Sequence, residues 1–114
     1  MPSLAWSVVE ADLDPSRGSE QRGMRPVLIV SNEDFNVAAA NVTVLPLTST
    51  RRRLYPSEVW IPAGAGGQPL DSIVMAHQVR TISKQRLRHV WGTLEDQSMR
   101  DAIRGAILEH FDLD

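Results

Sequence analysis

The sequence predicts a mainly β protein with some α structure: a small curled sheet or barrel followed by one C-terminal helix. Short runs of β-branched residues alternate with polar, glycine- and proline-containing connections, which is typical of short strands joined by turns. Only the last segment repeats apolar residues at helical spacing. At 114 residues the chain is expected to be a single domain over residues 1–114, without internal repeats or linkers.

The strands are predicted from runs of aliphatic and β-branched residues. Residues 27–30 are all branched aliphatics, the pattern of a strand buried on both faces. Alternation around Thr43 indicates another strand downstream. The predicted strands are 8–13, 26–31, 42–47, 58–61 and 73–76, with 79–82 continuing or bending the fifth and a late short strand at 90–93.

Two connections are predicted between these strands. Residues 51–57 form a polar, basic link that starts with three arginines. Residues 62–69 contain three glycines and two prolines and are predicted to be a loop. Because no Gly-Lys-Ser/Thr follows these glycines, a nucleotide-binding P-loop is not expected there.

The C-terminal helix is predicted from one apolar stripe. Thr93 is predicted to cap it, with Asp96 three residues later in a capping-box role. Gly105 costs roughly 1 kcal/mol relative to alanine inside a helix and is expected to permit close packing. The predicted stripe consists of Met99, Ala102, Ile103, Ala106, Ile107 and His110.

Composition limits the possible classes of protein. The chain is 42% hydrophobic, has no cysteine, and contains no apolar run long enough to cross a membrane. The N-terminal segment does not combine a basic stretch with a following apolar stretch, so no secretory signal is expected. The three histidines are widely spaced, so a zinc site is not expected. A cytoplasmic protein without a metal or cofactor is predicted.

Charge is unevenly distributed although the formal net charge is only -2. Residues 51–94 contain seven Lys or Arg against two acids, whereas the flanking segments are acidic. A polyanion responds to a local patch rather than to the total charge. The middle of the chain is therefore a candidate nucleic-acid surface.

Arg25 lies between a polar, glycine-punctuated loop and an apolar strand. Pro26 biases Arg25 towards extended geometry and fits the first position of a strand. The guanidinium should therefore project from a rigid base at the mouth of the strand. Such a group stays charged and can contact two phosphate oxygens at once.

Three segments together resemble the MazF/PemK family of toxin endoribonucleases. They are the run from Gly18-Ser19-Glu20-Gln21 through Arg25-Pro26 to Ser31-Asn32, the segment Leu45-Pro46-Leu47-Thr48-Ser49-Thr50, and the block from Asp71-Ser72 to Gln78-Val79-Arg80-Thr81-Ile82. The resemblance covers most of the chain. It implies an SH3-like barrel of the type shared by PemK and CcdB toxins.

The resemblance implies a catalytic set of Arg25, Thr48 and Glu20. Arg25 would stabilise charge on the phosphorane that forms when a ribose 2′-hydroxyl attacks the adjacent phosphate, and Thr48 would donate a hydrogen bond to that phosphate. Glu20 is a candidate general base or, alternatively, a solvated loop acid or a partner of Arg22.

RNA contacts are expected from Ser19, Gln21, Ser49, His77 and Gln78. His77 and Gln78 are expected to point to opposite faces of an extended strand, so that only one of them lines the groove, and Gln78 is the better base reader. Trp6, Trp60 and Trp91 can stack on bases, but a core or interface role is the commoner one. Trp6-Ser7 replaces the Gly-acid pair with which the family opens its first strand.

The implied function is that of a toxin in a type II toxin–antitoxin module: a metal-independent, sequence-specific endoribonuclease of single-stranded RNA. Its partners would be RNA, a second copy of the chain, and a cognate antitoxin with an acidic flexible segment. Two alternatives are a non-enzymatic gyrase-binding inhibitor of CcdB type and a catalytically inactive RNA-binding barrel. The inhibitor is disfavoured because the chain ends Phe111-Asp112-Leu113-Asp114, without a tryptophan, and has both Arg25 and Thr48.

Overall fold

A computed structural model describes residues 3–15, 17–18, 20 and 23–113. Within these residues the chain forms seven strands, two α-helices and two 3-10 turns, at Ala76–Gln78 and Lys84–Arg86. The strands are β1 (Ser7–Asp12), β2 (Met24–Ile29), β3 (Asn41–Thr48), β4 (Glu58–Ile61), β5 (Ser72–Met75), β6 (Arg80–Ser83) and β7 (Leu87–Thr93); the helices are α1 (Glu33–Ala38) and α2 (Gln97–His110).

All strands pair antiparallel in the order β4-β5-β3-β2-β1-β7, and β6 also pairs with β3. The first half of β3 pairs with β6 and its end pairs with β5, so the 3-10 turn at Ala76–Gln78 bends the chain between two partners of one long strand. The predicted mainly β class with a C-terminal helix is confirmed. The sheet is curled, but β6 and β7 do not pair within the described residues, so the barrel stays open.

The central strands are buried on both faces, as their aliphatic sequences predict. Leu28 and Leu45 pack into one cluster with Ile103 and Ala106 of α2. Val27 and Ile29, which point the other way, pack into a second cluster with residues of β1, β3 and β6. The curl of the sheet encloses this second cluster, and the strands are thereby held rigidly at the end where Arg25 lies.

The C-terminal helix was predicted correctly, but its cap and its stripe were not. Asp96, rather than Thr93, is the N-cap: its carboxylate accepts the Met99 N–H at 2.9 Å, and Thr93 still belongs to β7. Ala102 is exposed, so the buried stripe is narrower than predicted. Gly105 has open space where a Cβ would lie and does not serve close packing. His110, the last residue of the predicted stripe, is also exposed.

Helix α1 was not predicted from the sequence because it spans only six residues, too few to show a repeating stripe. Its start is nevertheless signalled by Asn32, whose side chain accepts the Phe35 N–H at 2.8 Å. Glu33 in the first turn also accepts the N–H groups of Leu4 and Ala5, both at 3.0 Å. Neither α-helix in the described residues is long and apolar enough to cross a membrane.

Gly67, in the loop between β4 and β5, has a φ of +87°, and an added Cβ would lie 2.3 Å from the Trp91 carbonyl oxygen. Gly67→Ala is therefore expected to destabilise the fold by at least about 2 kcal/mol. Gly105→Ala is the matched control, since it adds the same methyl group to a helix with open space and should stabilise by about 1 kcal/mol. Urea denaturation of both variants measures the two effects. Equal stability of Gly67→Ala and the parent would contradict the close approach of this loop to β7.

Candidate active site

Arg25 and Thr48 face each other across neighbouring strands. The pairing of β2 with β3 joins Val27 to Pro46, Leu28 to Leu45 and Ile29 to Val44. Continuing this register by two residues places Arg25 opposite Thr48. Residues opposite one another in a sheet project to the same face, so both side chains reach the same end of the curled sheet.

These two residues line one small pocket of about 160 Å³, which we call the inner pocket. One side of it is made by the loop between β4 and β5. Gln68, buried in that loop, donates to the Pro62 carbonyl and accepts the Gly66 N–H, both at 2.8 Å. This bracing holds the wall in place. The inner pocket is lined by Arg25, Pro26, Leu47, Thr48, Ser49, Gln68, Pro69, Leu70 and Ser72.

Thr48 is positioned to donate a hydrogen bond. It is only 6% exposed, so its rotamer is constrained by packing. Its hydroxyl oxygen accepts the Thr50 N–H at 3.3 Å, which leaves the hydroxyl hydrogen available to a ligand in the pocket. Arg25 is half-buried at the start of β2. The inner pocket thus combines a permanent positive charge with a hydroxyl donor.

A second pocket of about 310 Å³, the outer pocket, adjoins the first. The two share Thr48, Ser49 and Ser72 and together form a continuous groove. Two arginines of the basic link lie along it. The outer pocket is lined by Thr48, Ser49, Thr50, Arg51, Arg52, Leu54, Trp60, Asp71, Ser72 and Ile73.

The basic link is anchored by Glu58, a buried acid at the start of β4. Its carboxylate accepts two hydrogen bonds from the Arg52 guanidinium, both at 2.7 Å, and one from the Tyr55 N–H at 2.7 Å. His77 Nε2 donates to the same carboxylate at 2.8 Å. Burial of the Glu58 side chain opposes its ionisation, but these hydrogen bonds outweigh burial and lower its pKa to about 2. Glu58 is therefore ionised, and its carboxylate holds Arg52 in the wall of the outer pocket.

Glu58 was not singled out from the sequence. Its partners lie three to nineteen residues away along the chain, at Arg52, Tyr55 and His77, so no local motif marks it. The sequence shows only that Glu58 is one of two acids in the basic segment 51–94. The pairing also divides the arginine triplet. Arg52 is engaged with Glu58, whereas Arg51 and Arg53 form no ion pair within the part of the chain that the structure describes.

The family model of the PemK-like, MazF-like toxins of type II toxin–antitoxin systems matches residues 5–110. The chain belongs to this toxin family. The match confirms the resemblance seen in the sequence, and it includes both walls of the groove.

Known members of the PemK/MazF family resemble the whole chain. Endoribonuclease MazF9 of Mycobacterium tuberculosis is 34% identical over 113 residues, covering 95% of this chain and 92% of MazF9. The structure of the Mycobacterium tuberculosis toxin MazF-mt6 has a TM-score of 0.78 at 32% identity, covering 95% of this chain and 98% of that one. A mycobacterial endoribonuclease in complex with its cognate antitoxin has a TM-score of 0.79 at 28% identity, covering 100% of this chain and 98% of that one.

The structure brings some of the predicted site residues of this PemK/MazF toxin together. Ser49 lines both pockets beside Thr48. Glu20 is exposed and does not line the groove; its carboxylate accepts the Arg17 N–H at 2.6 Å within the loop between β1 and β2. Ser19 and Gln21 lie outside the described residues. The catalytic and RNA-binding roles of all these residues stay predictions.

His77 and Gln78 do not lie on an extended strand, because both belong to the 3-10 turn that bends the chain from β5 to β6. The prediction that their side chains point to opposite faces of an extended strand was therefore wrong. His77 instead supports the basic link through Glu58 and lies 6.1 Å edge-on from the Tyr55 ring. Neither residue lines the inner or the outer pocket.

The replacement of the family's Gly-acid pair by Trp6-Ser7 affects the far end of β1. Trp6 has a φ of +65°, the left-handed region that favours glycine. The guanidinium carbons of Arg100 and Arg104 of α2 lie 5.2 and 5.1 Å from the centre of its ring. Ser7 is four residues from Ala11, which pairs with Arg25, a separation of roughly 13 Å along a strand. The change thus lies away from the environment of Arg25.

Proposed function

We propose that this chain is the toxin of a type II toxin–antitoxin module and an endoribonuclease that cleaves single-stranded RNA. The observation that carries the proposal is the placement of Arg25 opposite Thr48 in one small pocket. Family membership and the endoribonuclease names of relatives such as MazF9 support it. The reaction is proposed to need no metal, because the nucleophile belongs to the substrate.

In the proposed reaction the ribose 2′-hydroxyl oxygen bonds to phosphorus and loses its proton to a base. The P–O5′ bond breaks, and the leaving oxygen takes up a proton. The products carry a 2′,3′-cyclic phosphate and a 5′-hydroxyl. Arg25 stabilises the extra charge on the pentacoordinate phosphorus centre, and Thr48 donates to a non-bridging oxygen. Because of its high pKa, an arginine suits charge stabilisation better than proton removal.

Glu20 is the candidate base in this scheme. To accept the 2′-hydroxyl proton it has to come within about 3 Å of that oxygen. Its carboxylate accepts the Arg17 N–H and lines neither pocket, so the loop has to bring Glu20 towards the groove for this role. Proton removal by Glu20 is therefore the part of the scheme that requires movement of the loop.

The groove supplies the electrostatic attraction for RNA. Arg51 lines the outer pocket and is exposed, and Arg53 is exposed on the same link. A phosphate chain that follows these residues is led towards Arg25. Ser49, in the shared wall, and Ser19, Gln21 and Gln78 are proposed to contact RNA, while His77 acts through Glu58.

The remaining parts of the proposal concern partners and location. We propose a cytoplasmic homodimer inhibited by an antitoxin whose acidic, flexible segment orders on the basic groove. A mycobacterial neighbour of the same fold, described as an endoribonuclease in complex with its cognate antitoxin, supports an antitoxin partner. The basic segment from 51 to 94 provides the complementary charge.

Purified protein is expected to cut a long mixed-sequence RNA equally well with and without EDTA. Mapping of the ends should find 5′-hydroxyl and 2′,3′-cyclic phosphate termini, since a free 3′-hydroxyl would indicate attack by water. Loss of cleavage in EDTA would contradict the metal-free reaction. Absence of cleavage together with inhibition of gyrase supercoiling would favour the CcdB-type inhibitor instead.

A further inference from the structure

The outer pocket shares Thr48 with the inner pocket but contains neither Arg25 nor Glu20, so most of its lining has no part in the proposed reaction. Its distinctive residue is Trp60, which is 52% exposed. Trp6 and Trp91 are both partly buried and pack against the core. An exposed indole beside a basic loop is a feature that folding alone does not require.

The strand register aligns Trp60 with the site of cleavage. Thr48 of β3 pairs with Ile73 of β5, and Ile73 pairs with Trp60 of β4. The three residues thus form one row across three strands and project to the same face. Ile73 forms the floor between them, and the two outer Cα atoms are separated by two strand spacings, roughly 10 Å. RNA held at Thr48 can therefore place a neighbouring base over the Trp60 ring.

Resting on the proposed function, we propose that the outer pocket is a nucleobase subsite next to the scissile phosphate, in which Trp60 stacks on the base and Asp71 accepts a hydrogen bond from its amino group. Stacking on an indole accepts any base. Asp71 adds selectivity: one carboxylate oxygen accepts the Ala63 N–H at 2.8 Å, and the other makes no hydrogen bond within the described residues. Adenine, cytosine and guanine carry an amino group, whereas uracil does not.

The surrounding charges favour RNA over an apolar occupant. Arg51, exposed at the rim, can contact the phosphate of the stacked nucleotide. Glu58 holds Arg52 at the wall of the outer pocket, so the basic link already has its conformation before RNA binds. A volume of about 310 Å³ is also at the lower end of the range for small-molecule sites.

The test begins with a long RNA of mixed sequence, whose cleavage sites are mapped for the parent protein. A short RNA containing the mapped site, with a 2′-deoxy substitution at the attacking ribose, then measures binding without cleavage. Trp60→Ala should raise Kd for this RNA by about fivefold to 100-fold. It should also raise KM more than it lowers kcat on the cleavable RNA. Trp60→Phe should restore most of the binding.

Two further variants sharpen the test. Phe111→Ala is the matched control, because Phe111 is an aromatic residue of the same 52% exposure outside the groove, and its Kd should be unchanged. Asp71→Asn keeps an acceptor for the Ala63 N–H and replaces the other oxygen by a donor. It should weaken the preference for amino bases over uracil at one mapped position.

Separate outcomes overturn the subsite and the proposed function. If the parent cuts RNA and Trp60→Ala cuts with the same KM and site preference, the subsite is wrong while the endoribonuclease stands. If Trp60→Ala converts a dimer into a monomer in sedimentation, the pocket is a contact between copies of the chain. If the parent cuts no RNA, the cleavage proposal is wrong; weaker binding of the uncut mixed-sequence RNA by Trp60→Ala, but not by Phe111→Ala, would then keep Trp60 as a base-stacking residue.

Discussion

Arg25→Ala is expected to reduce the rate of RNA cleavage by about 100-fold to 1000-fold, the usual loss when one preorganised group that stabilises transition-state charge is removed. The guanidinium lines the inner pocket opposite Thr48 and belongs to the strand that the core clusters hold in place. Single-turnover cleavage at saturating protein separates this loss from weaker binding. Thr48→Val, which keeps the shape of the buried side chain but removes its hydroxyl, should reduce the same rate constant.

The control for Arg25→Ala is Arg53→Ala, which removes an exposed arginine that lies on the basic link and lines neither pocket. Its cleavage rate at saturation should stay within a few-fold of the parent. Both variants should unfold in urea within about 1 kcal/mol of the parent, because neither residue contributes to the core. Cleavage by Arg25→Ala at the parental rate would show that the transition state is stabilised elsewhere.

Glu58→Gln is expected to destabilise the protein by up to about 3 kcal/mol at pH 7. The pKa of Glu58 is lowered from 4.5 to about 2, which corresponds to a preference of that size for the ionised side chain. Glutamine keeps the shape and an acceptor for the Tyr55 N–H but removes the charge that pairs with Arg52. Urea denaturation gives the difference in free energy of unfolding. Asp101→Asn, at the exposed ion pair with Arg104, is the control and should change stability by less than about 1 kcal/mol.

The effect of Glu58 should depend on pH in a defined direction. Its folded pKa is depressed, so its contribution is complete above the unfolded value of 4.5 and is lost as pH falls towards 2. The difference in stability between parent and Glu58→Gln should therefore shrink through this window. Taking the difference removes the contributions of other carboxylates, such as Glu33 and Asp96, whose pKa values are also lowered. A difference that stays constant from pH 7 to 2.5 would show that Glu58 is not stabilised as an anion.

Most of the fold was predictable because strand and helix patterns are local. Aliphatic runs such as residues 27–30 located the strands to within three residues of their observed ends. Local sequence patterns gave the wrong answer where two neighbouring residues were equally suited to the same role. Asp96 and Thr93 both suit a helix cap, and pairing of Thr93 with Ser7 of β1 decided against it. The six-residue α1 has an Asn cap but too few turns for periodicity to reveal it.

The site was predicted in its residues but not in its supporting structure. Arg25 and Thr48 were found because each lies in a short motif at the end of a strand. Glu58 was missed because no sequence motif pairs it with Arg52 and Tyr55 of the basic link, and His77 reaches it only when β4 and β5 pair. His77 was predicted to lie on an extended strand, whereas the backbone turns there to reach the other half of β3.

The sequence by itself determined the strand pattern, the C-terminal helix, the family and the two residues proposed to act on the phosphate, since all of these depend on neighbours along the chain. Only the tertiary structure decided that Arg25 faces Thr48, that Thr48, Ile73 and Trp60 form one row, and that Glu58 holds the basic link. The physical reason is that antiparallel register sets which side chains share a face. Register is settled by the long-range burial of both faces of the sheet, and a shift of one residue would turn every side chain of the strand to the opposite face.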